Sequence, residues 1–366
     1  MRFVIAAGGT GGHLFPGLAV GEVLISRGHK VMLLISEKEI DALATKGRIE
    51  FRIEKLPGIG MPKLLSPAVF GFLKRFKSGL DRCRSLYNDF QPDAVLGMGG
   101  FTSTAPILAG RMRKIPTFVH ESNAIPGKAN RLNARMANCV LLGFKECAKY
   151  LPDRRCEVTG TPIRENLVRR LSRKDALAAF QLTDEGRKTI LVMGGSQGAR
   201  GINDAMIAVL PKLREVAIQI IHLAGASDEA RLRNAYAAAG VPAWVAPFHH
   251  RMEEAYSAAD IAIARSGAAS LTELSHFALP AILIPYPHAA DDHQTLNARI
   301  FEQAGAAILL PEEKTAGEEF GQHLLALLGD PGQLEEMSKR SANLAPSQAA
   351  ESVAETILKY CAPSAA

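Results

Sequence analysis

Three apolar runs of this chain each end in a glycine-rich turn: FVIAAGGTGGH over Phe3–His13, AVLGMGGFTS over Ala94–Ser103, and TILVMGGSQGAR over Thr189–Arg200. A strand that feeds a helix through such a turn points free backbone N–H groups, and the positive end of the helix dipole, at one spot where a phosphate can sit. The chain is therefore built to hold phosphorylated ligands. The first and third runs open similar strand-turn-helix patterns nearly half a chain apart. That repetition predicts two α/β domains facing each other across a cleft, each with its own phosphate cradle.

At 366 residues the chain is long enough for two domains, each with its own core. With 47% hydrophobic and 22% charged residues it reads as an ordinary globular protein. No apolar stretch reaches membrane-spanning length, and Arg2 leads straight into the first strand without a charged leader, so residence in the cytoplasm is expected. Cys83, Cys139, Cys147, Cys156 and Cys361 are an odd count without CxxC spacing, which predicts free thiols rather than a disulfide or zinc framework. The net charge of +6 admits nucleic acid, an anionic membrane or acidic substrates, and does not choose among them.

Strand-like runs recur at Phe3–Ala7, Val31–Ile35, Ala94–Leu96, Thr117–His120, Cys139–Leu142 and Glu157–Thr159, with helical periodicity at Gly17–Arg27 and Lys128–Met136. Such alternation argues for a parallel sheet with helices on both faces. The pattern restarts with strands at Thr189–Met193, Gln219–Leu223, Ala243–Ala246, Ile261–Ala264, Ala281–Ile284 and Ala307–Leu309, and with helices near Ile202–Leu213, Asp228–Ala239, Arg251–Ala258 and Thr272–His276. The joint falls near Thr161-Pro162-Ile163-Arg164, giving domains over 1–162 and 163–340. Pro346 should break the helical tail Gln333–Tyr360, and the last piece, within 341–366, is expected to return to the first domain. Within Met61–Arg84, bulky residues (Leu64, Leu65, Val69, Phe70, Phe72, Leu73, Phe76) interleave with cations (Lys63, Lys74, Arg75, Lys77, Arg82, Arg84). This amphipathic stretch fits a core-facing helix with a basic rim, or a helix lying in a membrane interface.

Gly8-Gly9-Thr10-Gly11-Gly12-His13 is neither the usual dinucleotide fingerprint nor a P-loop, because no Lys-Ser/Thr follows. Its glycines let backbone approach a pyrophosphate, and His13 is either structural or a general base for a hydroxyl beside the phosphates. His120-Glu121-Ser122-Asn123 with Asn130 stands where an open α/β sheet places ligands; it reads sugar hydroxyls, orients His13, or simply caps the next helix. Gly194-Gly195-Ser196-Gln197-Gly198-Ala199 repeats the cradle. Arg265-Ser266-Gly267-Ala268-Ala269-Ser270 enters a helix carrying Glu273, offering N–H groups for a diphosphate and a carboxylate for two ribose hydroxyls. Asp291-Asp292-His293-Gln294-Thr295-Leu296-Asn297 follows. Each is a weak signal alone; in this order they are hard to explain as structure only.

Together GGTGGH, GMGGFTS, HESN, TGTPIR, GGSQGA, RSGAAS with Glu273, and DDHQTLNA resemble the MurG family of peptidoglycan transferases over Phe3 to about Ala307. The resemblance implies the two-domain GT-B fold. It also implies transfer of N-acetylglucosamine from UDP-N-acetylglucosamine to undecaprenyl-pyrophosphoryl-N-acetylmuramoyl pentapeptide, lipid I, giving lipid II. It assigns Thr10, Gly11, Gly12 and His13, with Gly99, Gly100, Phe101, Thr102 and Ser103, to the acceptor pyrophosphate or the reacting centre, where Thr10, Gly11 and Gly12 also meet the donor. Glu121 and Asn130 then fall to the acceptor and Asn123 to the donor. Arg164 and Ser196 match donor contacts, and Ala268, Ala269, Ser270, Leu271, Thr272 and Glu273 match the diphosphate and ribose turn. Gln294 matches the residue that reads the sugar, with Phe248 and the backbone of His249 at the uracil edge. Departures are His293 in place of the first residue of a frequent Gln-Gln pair, Ser122 where Gln is common, and Phe101 where Tyr is frequent.

The resemblance implies that His13 takes the proton of the acceptor 4-hydroxyl as it attacks the anomeric carbon, with inversion. The helix start after Ser266 and Arg164 then stabilise the departing UDP. No cofactor and no essential metal are expected, since no Asp-x-Asp motif occurs. Domain closure about Thr161–Arg164 should exclude water. A lipid-linked acceptor favours docking of Met61–Arg84 at the cytoplasmic face of the bacterial inner membrane, with no nucleic-acid partner and with other cell-wall synthesis and division proteins as neighbours. The alternatives are another GT-B enzyme of UDP-sugars, such as a 2-epimerase or natural-product glycosyltransferase, and a non-catalytic nucleotide-binding regulator.

Overall fold

Apolar runs without polar alternation belong to strands covered on both faces, which is the condition of a parallel sheet. A computed structural model describes residues 1–9, 11–38, 45, 47–58, 68–164, 167–195, 198–344 and 348–362. The chain divides into two compact units, Met1–Arg164 with Pro346–Ala366, and Glu165–Ala345.

In the first unit β1 (Arg2–Ala6), β2 (Lys30–Ser36), β3 (Arg52–Leu56), β4 (Ala94–Gly97), β5 (Thr117–Glu121), β6 (Cys139–Leu142) and β7 (Cys156–Val158) form one parallel sheet. Their order is β3-β2-β1-β4-β5-β6-β7, with Phe3 opposite Val31 and Ala94. Successive β1 side chains point to opposite faces. Phe3 and Ile5 join Leu14, Leu18 and Leu24 of α1 (Gly11–Ser26) and Val353, Ala354 and Ile357 of the last helix, Ala349–Cys361. Val4 and Ala6 join Cys83, Leu86, Tyr87 and Phe90 of α2 (Ala68–Phe90) and Ala105 and Ala109 of α3 (Thr104–Met112). Helix α1 lies very close to the sheet: a Cβ at Gly17 would stand 2.5 Å from Ala7 Cβ. It begins at Gly11 rather than Gly17, with Pro16 inside it. The tail helix packs on α1; residues 345–347, around the anticipated break at Pro346, lie outside the described residues.

Strand β3 is an addition to the sequence reading. It is an edge strand whose RIEKL sequence presents Arg52, Glu54 and Lys55 rather than an apolar run. Arg52 pairs with Glu54 and Asp89, and Arg82 with Glu54, so charge protects this edge from stray pairing.

The second unit repeats the plan with β8 (Lys188–Met193), β9 (Ile218–Leu223), β10 (Ala243–Ala246), β11 (Ile261–Ala264), β12 (Ala281–Leu283) and β13 (Ala307–Leu309), in the order β10-β9-β8-β11-β12-β13. Ile190, Val192, Ile220 and Ile263 pack against Ile202, Met206 and Val209 of Arg200–Leu213, and against Phe320 and Leu324 of Glu318–Gly329. Strand order reverses between β1 and β4 in one sheet and between β8 and β11 in the other. Ligands of open parallel sheets bind beyond the carboxyl ends of strands at such a reversal. The glycine-rich turns after β1, β4 and β8, and the Ser266-Gly267 turn after β11, stand at these two points. The five cysteines are free thiols, and burial pushes Cys83 up to about 12 and Cys139 to about 11.

Candidate active site

At the first reversal, β1 runs through Gly8 and Gly9 into α1, which brings His13 to the start of that helix. Across from it β4 is followed by Met98, whose N–H donates to Ala6 O at 2.8 Å. The chain then turns through Gly99 at φ +118° and Gly100 at φ +69°. A Cβ on Gly99 would lie 2.8 Å from His13 Nε2, and one on Gly100 3.5 Å from His13 Nδ1. The imidazole thus rests on bare backbone that no other residue could supply. Ser103 fastens the far end of this turn, its hydroxyl donating to Gly99 O at 2.7 Å and Ala6 O at 3.1 Å. Thr10 lies outside the described residues.

Strand β5 delivers His120 and Glu121, both buried. His120 Nε2 meets Gly160 O at 2.9 Å, and burial holds its pKa below the usual value. Glu121 accepts four hydrogen bonds. Its Oε1 takes Asn123 N at 2.9 Å and Asn123 Nδ2 at 3.0 Å; its Oε2 takes Gly127 N at 3.0 Å and Asn130 Nδ2 at 2.9 Å. Asn130 Nδ2 also reaches His120 O at 3.0 Å and lies 3.5 Å from the Gly99 Cβ position, while Asn130 Oδ1 is buried without a hydrogen-bond partner. Sequence placed Glu121 on the acceptor; in the structure its oxygens accept from Asn123, Gly127 and Asn130. Glu121→Gln should therefore destabilise the first unit by about 1–3 kcal/mol, because an amide nitrogen would face donors left unpaired. Chemical denaturation of the purified variant checks this. Arg164, assigned to the second domain by sequence, belongs to the first unit, with its guanidinium 4.5 Å from the Phe15 ring centre.

At the second reversal, Ser196 lies outside the described residues, and the turn after β11 is the better defined. Gly267 precedes the helix Ala268–His276, so the first N–H groups of Ala268, Ala269 and Ser270 have no partner within that helix. Leu271 and Thr272 are buried along the same helix, and Glu273 Oε2 accepts the Tyr256 hydroxyl at 2.7 Å. Ser266 Oγ donates to Gln294 O at 2.8 Å, and Asn297 Nδ2 to Ser266 O at 3.1 Å. Gln294 Oε1 accepts Tyr286 N at 2.9 Å. Asp291 and Asp292, just before it, hold left-handed backbone at φ 53° and 50°, which Asp tolerates better than most residues. Beyond β10, Phe248 is 46% exposed. His249 is held by Glu254 Oε2 at 2.9 Å and by the Phe180 and Trp244 rings.

Two residues that sequence did not single out support this site. Tyr256 orients Glu273, and Arg265 donates to Ile284 O, Pro285 O and Glu312 while lying over the Tyr286 ring. Tyr256 carries no signal, since it occupies an ordinary buried helix position, whereas Arg265 stands in the phosphate-turn motif without a role of its own. No group of His, Cys, Asp and Glu fit to hold a metal occurs among the described residues.

On the outer side of the first unit, the amphipathic helix α2 divides its aromatics. Phe70 is 81% and Leu73 53% exposed, beside exposed Lys74, Arg75 and Lys77. Phe72 and Phe76 turn the other way, against Phe101 and the core. The part of the segment over 61–67 lies outside the described residues.

Residues 3–142 match the glycosyltransferase family 28 N-terminal domain and residues 189–356 its C-terminal domain. A UDP-N-acetylglucosamine--N-acetylmuramyl-(pentapeptide) pyrophosphoryl-undecaprenol N-acetylglucosamine transferase of Geobacter metallireducens is 36% identical, the match covering 98% of each chain. The enzyme of that name from Halothermothrix orenii is also 36% identical, over 94% of this chain and 95% of that one. The crystal structure of Acinetobacter baumannii MurG superposes with a TM-score of 0.78 at 28% identity, covering 98% of this chain and all 100% of that one. A UDP-GlcNAc 2-epimerase from Neisseria meningitidis, at 15% identity and a TM-score of 0.69 over 98% of this chain and 100% of that one, shares the fold alone. With both GT-B units present and this likeness running the length of the chain, the protein belongs to the MurG family within glycosyltransferase family 28.

Proposed function

We propose that the protein is an inverting hexosyltransferase that moves N-acetylglucosamine from UDP-N-acetylglucosamine to the 4-hydroxyl of the N-acetylmuramoyl sugar of lipid I, giving lipid II for peptidoglycan. The observation that carries this reading is the imidazole of His13 seated on the Gly99-Gly100 backbone beside Asn130. A sugar hydroxyl placed there has a base for its proton, and Asn130 Oδ1, buried and otherwise unpaired, is an acceptor for a neighbouring hydroxyl. Pyrophosphate of the acceptor falls to the N–H groups at the α1 start. The donor diphosphate falls to the helix start at Ala268–Ser270 and its ribose to Glu273, with Gln294 reading the sugar and Phe248 the uracil edge. Charge on departing UDP is met by preorganised N–H dipoles.

The test is turnover of UDP-N-acetylglucosamine with a short-chain lipid I analogue, read as disaccharide formation. Epimerised UDP-sugar as product, or UDP binding with no turnover, would sink the reading.

The acceptor's polyprenyl tail requires the protein to work at a bilayer, as a peripheral protein on the cytoplasmic face. No described helix is long and apolar enough to cross a membrane. Phe70 and Leu73 with Lys74, Arg75 and Lys77 form an apolar point ringed by cations, the composition that seats a helix among anionic headgroups. Changing Phe70 and Leu73 to Ser and the three cations to Ala should weaken binding to phosphatidylglycerol vesicles by about 100-fold or more, since each cation near such a surface is worth about 1 kcal/mol and the apolar term is lost as well. Basal transfer to a water-soluble acceptor should persist. Equal sedimentation of variant and parent with vesicles would show that docking lies elsewhere.

A further inference from the structure

We propose that Phe72 is a positioning residue that couples docking of α2 on an anionic lipid surface to the order of the acceptor loop Gly99–Ser103; this rests on the docking reading above. Over residues 69–78, the first turns of α2, no residue is buried. That stretch is held through two aromatic rings. Phe76 packs on the core cluster of Cys83 and Tyr87. Phe72 stacks on Phe76 at 6.3 Å and 16°, and meets the Phe101 ring edge to face at 6.3 Å and 87°.

Phe101 is the one bulky side chain in Gly99-Gly100-Phe101-Thr102-Ser103. Ser103 closes that loop on itself, its hydroxyl donating to Gly99 O and Ala6 O and its N–H to Gly100 O, while the Phe101 ring takes no part in this closure. The Phe72 contact braces that ring. Its strength depends on the order of a helix end that buries none of residues 69–78, and segments so sparsely packed open easily. Flanking Phe72 in sequence, Phe70 and Leu73 face outward. A bilayer that takes up those two side chains covers the free side of the helix and steadies Phe72 against Phe101. The surface that holds the lipid tail thus also sets the seat of the base.

The experiment uses the full chain, UDP-N-acetylglucosamine and a water-soluble acceptor, with and without acceptor-free phosphatidylglycerol vesicles. For the parent, vesicles should raise kcat by about two- to tenfold, the range one edge-to-face aromatic contact can supply, with KM for UDP-N-acetylglucosamine unchanged. Phe72→Ala should sediment with vesicles as the parent does and keep its UDP affinity, but its kcat should be the same with and without vesicles. Phe72→Tyr, which keeps the ring, should restore the rise. A parent that fails to sediment overturns the docking reading and the coupling with it. A parent that sediments without stimulation, or a Phe72→Ala variant stimulated as strongly as the parent, overturns the coupling and leaves docking standing.

Discussion

His13→Ala is expected to lower kcat by about 100-fold or more at saturating acceptor, while UDP affinity stays within about twofold of the parent. General-base catalysis contributes about 10²–10⁴ to rate, and His13 is the titratable side chain set against the Gly99-Gly100 turn. The separation of effects follows from placement. His13 belongs to the first unit, whereas the helix start and Glu273 assigned to the donor belong to the second. His13→Gln should not rescue, since an amide keeps the shape and some hydrogen bonding but cannot take the proton. Single-turnover kinetics with titration calorimetry for UDP checks both halves. Near-normal turnover would remove His13 from the role of base, and the buried His120 would then need testing in its place.

Glu273→Ala should weaken UDP binding by about 100-fold or more. Two ribose hydroxyls donating to one carboxylate lose two charge-assisted bonds, each worth about 1.5–3 kcal/mol, and calorimetry reads the sum directly. The carboxylate is held in place by the Tyr256 hydroxyl at 2.7 Å, so Tyr256→Phe should cost less than Glu273→Ala and act in the same direction. Donor affinity unchanged in Glu273→Ala would refute the ribose assignment. A 2′-deoxy-UDP that loses affinity against the parent but not against the variant would establish which hydroxyl is read.

Sequence made the framework legible because strands buried on both faces cannot tolerate polar alternation: Ile5, Leu33, Leu191 and Ile263 announce themselves. Strand β3 escaped for the opposite reason, since an edge strand is free to carry Arg52, Glu54 and Lys55. The start of α1 was displaced because Pro16 reads as a helix boundary, whereas glycines at 11 and 12 allow the helix to begin five residues before it. In the site, residue types in order were enough to locate the glycine turns, His13 and Glu273. What they withheld was direction. Nothing in HESN tells that Glu121 turns toward Asn123 and Asn130 rather than outward, and nothing in VFGFLKRF tells that Phe70 and Phe72 part company. Those choices belong to tertiary packing.

The docking of Ala349–Cys361 on α1 has a consequence for the order in which the chain is made. The first strands are translated long before the tail helix, so the face of their sheet that carries Leu14, Leu18 and Ile5 lacks Val353, Ala354 and Ile357 until the second unit has been made. The unit that starts second, Glu165–Ala345, is contiguous and can complete its contacts first. The second unit can therefore close before the first is complete, and a nascent chain carries an unfinished apolar face until Ala349–Cys361 has emerged. Removing Ala349–Cys361 acts on the unit whose sheet was translated first.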